Sequence, residues 1–433
     1  MKKSVILISF SLILLMITFS CRKDLDNIFD KENTNKEYVK NSSKQKTHFK
    51  ITSKEAGIFA LNFINTHFKN KLNVKIKNIK NFATPLPNKK LYLVTLKPKG
   101  FILLSDDIRD VPVLAFSEYN NLFSESFNEL PVGAKEWITE TILLNYELEK
   151  APKVAAENNI SKEWKLYLSD TITSTSKNIP PIEDWDCTEY YIGHMTEEFN
   201  NANLSTFWGQ GSPYNLYTPI CQRTGEHKPT GCVATAMAQI MNFWKYPSGF
   251  NWSVMRNAYS SNDVSYSAHE VAWLMYVTGI MAHMNYECDS SGTTSRRAKN
   301  ALKNSFNFSS QIELGDYSYD DVKNELIWGR PVILGGYRSK YSCCGINFYY
   351  NGHSWITDGF RREYDKYIKV CELGPPYGTT TTTIYKNHRY WMHMNWGWKG
   401  YANGWYFSNE LAHPHGIEEN YKWNKDMIIK IHP

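Results

Sequence analysis

Between Thr52 and Phe68 the apolar residues Ala56, Phe59, Ala60, Phe63 and Ile64 recur at three- and four-residue intervals. That spacing predicts an amphipathic helix, with Ser53-Lys54-Glu55 supplying a capped start. The period then shortens. Leu91–Leu96 and Phe101–Leu104 are β-favouring runs on either side of Lys97-Pro98-Lys99-Gly100, the pattern of two strands joined by a turn, and Val111–Phe116 offers a third. Helical spacing returns from Trp137 to Leu148, where Ile138, Ile142, Leu143 and Tyr146 share one face. These elements predict a small α+β domain over 48–150. From 151 to 190 the periodicity lapses, and Thr171–Ser176 followed by Pro180-Pro181 reads as an exposed, cleavable connector. A second domain, 191–433, is rich in Trp, Tyr, Gly and His. In it Val233, Ala236, Met237, Ile240, Met241 and Trp244 form a stripe that predicts a buried helix starting near Cys232.

The chain opens differently. Met1-Lys2-Lys3 precedes the apolar run Val5–Thr18, which is shorter than the roughly 20 residues of a membrane span and suits a secretory signal over 1–20. Cys21 directly after Ser20 resembles the end of a bacterial lipoprotein signal. The resemblance implies a lipid on Cys21 and attachment to the membrane of the cell envelope, at its periplasmic or surface face, or secretion after processing. Residues 21–47 are polar and aperiodic, a tether between that anchor and the first domain.

Composition narrows the possibilities. Over 433 residues, 42% hydrophobic and 21% charged describe a globular chain of two or three domains, and exclude disorder and a polytopic membrane protein. The net charge of +6 is spread out, and the Lys-rich stretch Lys69–Lys80 reads as a solvated surface, so no nucleic-acid partner is expected. Export makes disulfides admissible. Cys187, Cys221, Cys232, Cys288, Cys343, Cys344 and Cys371 are odd in number, which leaves a thiol to account for. No CxxC pair occurs, so neither a zinc site nor another metal or cofactor is expected.

The segment Pro229-Thr230-Gly231-Cys232-Val233-Ala234-Thr235 places Cys232 in the first turn of its helix. Unpaired backbone N–H groups and the helix dipole favour an anion there, and such a seat lowers a thiol pKa from about 8.5 into the range of about 3.5–7.5 when a base assists. A buried, inert cysteine or half-cystine is the plain alternative. A matching base shifts the balance: Asn351-Gly352-His353-Ser354-Trp355 reads as a turn feeding a strand, and Asn395-Trp396-Gly397-Trp398 ends another. Cys232, then His353 121 residues on, then Asn395 42 further, is the chain order of a Cys–His–Asn thiol protease.

Four blocks in this order resemble the streptopain-type cysteine peptidases, peptidase family C10 of the papain-like clan: Gln210–Asn215, Thr230–Met241, Gly352-His353 with Asp358-Gly359, and Asn395–Trp398. In the first domain, Lys54-Glu55-Ala56 and Gly100–Asp106 resemble the inhibitory prosegment of the same family. The resemblance implies an α+β, papain-like two-subdomain fold, with a helical part carrying the Cys and an antiparallel sheet carrying the His, preceded by a small α+β prodomain. It implies Cys232 as nucleophile, His353 as base and later acid, Gln210 as oxyanion donor, and Asn395 with Trp396 where the third catalytic member belongs, Trp396 covering the imidazole. Gly352 and the loop residues Ser291 and Thr293 would line the substrate cleft. The Cys343–Tyr350 approach to His353 is bulkier than the Gly-rich loop of that family.

The expectation is therefore an exported cysteine endopeptidase acting on proteins or peptides, made as a zymogen whose own prodomain is its inhibitor. Two alternatives keep the fold and change the chemistry: a catalytically retired peptide- or glycan-binding lipoprotein, and an acyltransferase or amidase acting on cell wall.

Overall fold

A computed structural model describes residues 49–433 except 70, 85–88, 123–125, 132, 136, 140, 143–163, 165–166, 169–185, 201, 344–345, 373–378 and 409–424; for 71, 186, 337–343, 346–351 and 372 it describes the backbone alone. The expected signal, Cys21, the tether and most of the connector lie outside the described residues. The chain divides into two bodies, residues 1–48 with 340–349, and the remainder. In the first, the described backbone is extended. Everything below concerns the second.

Helix α1 (Ser53–His67) forms as its spacing predicts and buries Ala56, Phe59, Ala60, Phe63 and Ile64. The cap is one residue earlier than Ser53. Thr52 accepts from the Glu55 N–H while the Glu55 carboxylate accepts from the Thr52 N–H, so two otherwise unpaired donors are satisfied reciprocally. The helix covers one face of a meander of β1 (Lys75–Ala83), β2 (Lys90–Lys97), β3 (Phe101–Ser105) and β4 (Val113–Ser117). Half of the Lys-rich stretch 69–80 lies in β1, whose lysines are solvated as expected and line an edge where they discourage pairing with another chain. The predicted second helix begins earlier than Trp137: Gly133, Ala134 and Lys135 are already helical.

Two residues of the expected connector are structural. Trp164 and Tyr167 are buried against α1, with ring centroids 5.0 and 4.9 Å from Phe59, and Trp164 Nε1 donates to Asp110 O at 2.9 Å. Their three-residue spacing puts both rings on one helical face, so the N-terminal domain holds on to the chain beyond 150. Strand β5 (Asp186–Phe199) begins before the expected end of the connector at 190.

The C-terminal domain sets helices against a sheet. Helices α2 (Cys232–Trp244) and α3 (Tyr266–Met281) bury Val233, Met237, Ile240, Val271, Leu274 and Met275 in one core, together with Ile333, Ile356 and Ile428 from the sheet. Helix α4 (Ser295–Asn300), strand β6 (Glu313–Asp316) and helix α5 (Tyr319–Ile327) follow. Then come β7 (Val332–Cys343), β8 (Ile346–Glu372), β9 (Thr379–Asn395), β10 (Gly404–Phe407) and β11 (Asp426–Ile429).

One sheet joins both domains, in the order β1-β2-β3-β4-β10-β9-β8-β7-β11-β6, with β5 added to β8. The junction is the antiparallel pair β4 and β10, Phe116 opposite Trp405 and Ala115 opposite Tyr406. Side chains alternate across β8: Ile356 enters the helical core, whereas Trp355 enters a second core with Met394 and Trp396. Leu130, Ala134, Trp137, Ile138 and Ile142 of the N-terminal domain fill that second core. The N-terminal domain thus closes the sheet face opposite the helices.

Candidate active site

The start of α2 is built around Gly231. Its φ of +89° falls in the left-handed region, and a Cβ there would stand 2.7 Å from Met284 Sδ and 2.9 Å from Ser291 O. Only glycine lets the chain turn this tightly while the 284–293 loop presses on it. Cys232 follows, the one free cysteine among the described residues. The other described cysteines form Cys187–Cys371 and Cys221–Cys288. The second of these ties the Gln210–Cys232 segment to the loop that presses on Gly231.

Burial pushes the Cys232 thiol up, against backbone hydrogen bonds from Ser354, Val233 and Cys232 that favour the thiolate. A lowered pKa was expected from the helix terminus. The direction is reversed because the loss of hydration at the helix start outweighs those hydrogen bonds. His353 is 6% exposed, and its Nε2 donates to Trp396 O at 3.2 Å. A carbonyl only accepts, so Nε2 carries the proton and Nδ1 keeps the lone pair. Burial lowers the His353 pKa to about 4, the Trp396 carbonyl opposes that, and the Lys135 charge adds to it. The ring stacks over Trp355 at 6.1 Å. Among the described residues no hydrogen bond joins Cys232 to His353, although the next residue, Ser354, directs its N–H at the sulfur.

Trp396 touches the base through its backbone. Its indole Nε1 donates instead to Ala402 O at 3.1 Å, and its own N–H to Asn403 Oδ1 at 3.0 Å. The hydrogen bonds of the Asn395 side chain go elsewhere than to the imidazole. Its amide donates to Thr206 O at 2.9 Å and to Gln239 Oε1 at 3.3 Å, and its Oδ1 accepts from Gly397 N at 3.1 Å. Gln239, fully buried on α2, also accepts from Thr206 Oγ1 at 2.9 Å and Trp208 N at 3.3 Å. The sequence contained a signal for this hub, a long polar side chain inside an apolar helix stripe. Gln210 lies next to the nucleophile's segment, its carbonyl accepting from Thr230 N at 2.9 Å.

Of the expected cleft residues, Gly352 is exposed beside His353, and Ser291 is buried with its Oγ accepting from Glu287 N at 3.3 Å. Thr293 Oγ1 donates to Ala282 O at 2.6 Å, fastening the loop to the end of α3. The side chain of Cys343 and all of Cys344 lie outside the described residues.

The N-terminal domain reaches this site. Gly133 sits against both indoles around His353: a Cβ there would lie 2.5 Å from Trp396 Cζ3 and 2.9 Å from Trp355 Cε3. A second junction is polar and buried. His67 of α1 meets Glu363 at 2.8 Å, Arg361 pairs with the same carboxylate at 2.7 Å, and His194 meets Asp365 at 3.0 Å. His67, His194 and Glu363 bring possible metal-ligand atoms within 4.8 Å of one another. The Arg361 guanidinium already balances that carboxylate, so the group reads as a buried ion-pair network.

The profile of the Peptidase C10 family matches residues 208–250 and 248–406, and that of the Spi protease inhibitor matches 48–141. The C-terminal domain is thus similar to the peptidase C10 family, and the N-terminal domain to its Spi-type inhibitor. Streptopain of Streptococcus pyogenes serotype M1 is 24% identical over 382 residues, covering 78% of each chain. The thiol protease/hemagglutinin PrtT of Porphyromonas gingivalis is 25% identical over 279 residues, 56% of this chain and 28% of that protein. In fold, the prointerpain A fragment of Prevotella intermedia superposes with a TM-score of 0.53 at 21% identity, covering 82% of this chain and 99% of that one. The chain is a cysteine-type peptidase that carries a prosegment, and the N-terminal domain that abuts the base is that prosegment.

Proposed function

We propose that the protein is an exported endopeptidase made as a zymogen, with Cys232 as nucleophile and His353 as its base. One observation carries the reading: the only described free thiol occupies the first turn of α2, with the N–H of Ser354, the neighbour of His353, directed at its sulfur. In the working enzyme Nδ1 of His353 takes the thiol proton, while Trp396 O holds Nε2–H and thereby the tautomer. The thiolate adds to the peptide carbonyl carbon. The resulting oxyanion is met by the Cys232 N–H and the Gln210 amide, each donor worth roughly 10²–10³ in rate. His353 returns the proton to the leaving amine as the C–N bond breaks. Water, deprotonated by His353, then resolves the thioester, releasing the acid and restoring the thiol. Asn395 steadies the strand end that presents Trp396, and Gly352, Ser291 and Thr293 border the cleft.

In the form described above the pair is at rest, with a neutral imidazole, a thiol held protonated by burial and a prodomain over the base. Cutting the connector releases the enzyme. Strand β5 then stays behind, because it pairs with β8 from Asp186 opposite Glu372 to Phe199 opposite Phe360 and is bonded through Cys187–Cys371. Two disulfides suit an oxidising compartment, in keeping with the signal at 1–20 and a lipid on Cys21.

The test uses the full chain and its Cys232→Ala variant. Wild type should convert to a smaller form and hydrolyse casein, and the variant should remain folded, uncut and inert. Casein cleavage by the variant at the wild-type rate rejects the nucleophile. Conversion of the variant at an unchanged rate assigns maturation to another protease.

A further inference from the structure

Residues 208–212 carry Gln210 past the nucleophile, and no helix or strand holds them. They are held by the turn that follows Trp396. Lys399, in the left-handed region at φ 54°, donates its N–H to Trp208 O at 3.1 Å. Its ammonium donates to Ser212 O at 2.9 Å and to Ser261 Oγ at 2.8 Å, and Ser212 Oγ donates to Ser261 O at 2.7 Å. The aliphatic stem fills the space beside Gly209, where a Cβ would stand 2.7 Å from Lys399 Cγ. One lysine therefore grips the chain two residues before and two residues after Gln210.

The far end of that turn reaches the other catalytic parts. Trp396 O accepts from His353, and a Cβ on Gly397 would lie 3.2 Å from Thr235 Cγ2 on the nucleophile's helix. The base, the helix and the Gln210 segment are thus set against one another by five consecutive residues, Trp396–Gly400.

We propose that Lys399 is a positioning residue that holds the Gln210 amide where the oxyanion forms. The proposal rests on Gln210 being the oxyanion donor. An ammonium in contact with two acceptors on two separate loops fixes the distance between them, and a donor that drifts by about 1 Å can lose up to about 100-fold in rate. Partial burial lowers the pKa of this lysine by removing water from the ammonium.

The experiment compares Lys399→Met, Lys399→Arg and Ser261→Ala, each alone and combined with Gln210→Ala, in chains matured from the full-length protein. Peptide turnover is normalised to titrated Cys232 and set beside the thermal midpoint. Lys399→Met should lower kcat about tenfold and leave KM within about twofold, because the oxyanion appears only in the transition state. Lys399→Arg, which can still donate to both acceptors, should recover most of the loss, and Ser261→Ala should show a smaller loss in kcat. On the Gln210→Ala background both costs should shrink to less than about twofold. A cost of equal size on both backgrounds, a loss confined to KM, a loss explained by unfolding, or no loss overturns the proposal. Full activity of Gln210→Ala alone removes the oxyanion assignment, and this inference with it.

Discussion

Gly133 of the prodomain lies so close to Trp396 that a Cβ would stand 2.5 Å from Cζ3 and 2.8 Å from Cε3 of the indole. Both atoms belong to a ring fully buried among Trp355, Met394 and Tyr406, so the indole has nowhere to retreat. Gly133→Val should lift this segment off the base while β4 keeps its place on β10. The uncut variant should then react with iodoacetamide at Cys232 faster than the uncut wild type and mature sooner. Equal alkylation rates would mean that residues 127–142 do not restrain the site.

How much of this could be read from the chain alone depends on what carries each contact. The Cys232 helix was legible because its stripe from Val233 to Trp244 is purely local, and so were α1, β2, β3 and β4. The joining of β4 to β10 was not, since backbone pairing of Phe116 with Trp405 leaves no mark on side-chain spacing. The same holds for Trp396, which meets His353 through a carbonyl. Asn395 beside it had the expected residue type, yet its amide is occupied by Thr206 and Gln239, two residues far away in sequence. Trp164 and Tyr167 were hidden by the polar sequence around them.

His67 makes prodomain docking pH-dependent. Burial lowers its pKa from 6.5 to about 4, against Glu363, which raises it, and with Arg361 and His194, which lower it further. Trp391 and Tyr167 complete its surroundings, Trp391 Nε1 donating to Glu363 Oε2 at 3.1 Å and Tyr167 OH meeting His67 Nε2 at 2.7 Å. The undocked helix binds a proton at pH 5 that the docked one does not. Docking is therefore at full strength above about pH 6.5 and weakens as pH falls toward 4, by up to about tenfold per unit for one group. Dissociation of the cut prodomain, followed by size exclusion at pH 7.5 and pH 5, should be greater at the lower pH. His67→Gln should flatten the dependence, and an unchanged slope in that variant would place the titration elsewhere.

Gly231→Ala tests the seat of the nucleophile. A residue with a Cβ must adopt φ +89° and also displace Met284 or the Ser291 carbonyl. The strain is worth about 1–3 kcal/mol, and relief requires moving either the first turn of α2 or the 284–293 loop. The loop is tethered by Cys221–Cys288 and by Thr293, so the turn should move. Expected are a lower thermal midpoint and a loss of at least about 100-fold in kcat, with the helix content by circular dichroism unchanged. Wild-type kcat in a stably folded variant would show that the position of Cys232 tolerates this shift.

Asn395 separates support from catalysis. Removing its amide in Asn395→Ala leaves the Gly397 N–H without its acceptor and the Thr206 carbonyl without its donor, at a cost of about 1–3 kcal/mol for each buried group. Gln239→Met, which removes the acceptor shared by Thr206, Trp208 and Asn395, should destabilise to a similar or greater degree. Neither side chain touches His353, whose tautomer is set by Trp396 O, so the acidic limb of the kcat/KM profile should stay where it is in the matured wild type. Urea unfolding and the pH–rate profile together decide the matter. A displaced acidic limb in Asn395→Ala at unchanged stability would make the asparagine the direct partner of the imidazole once the prodomain has left.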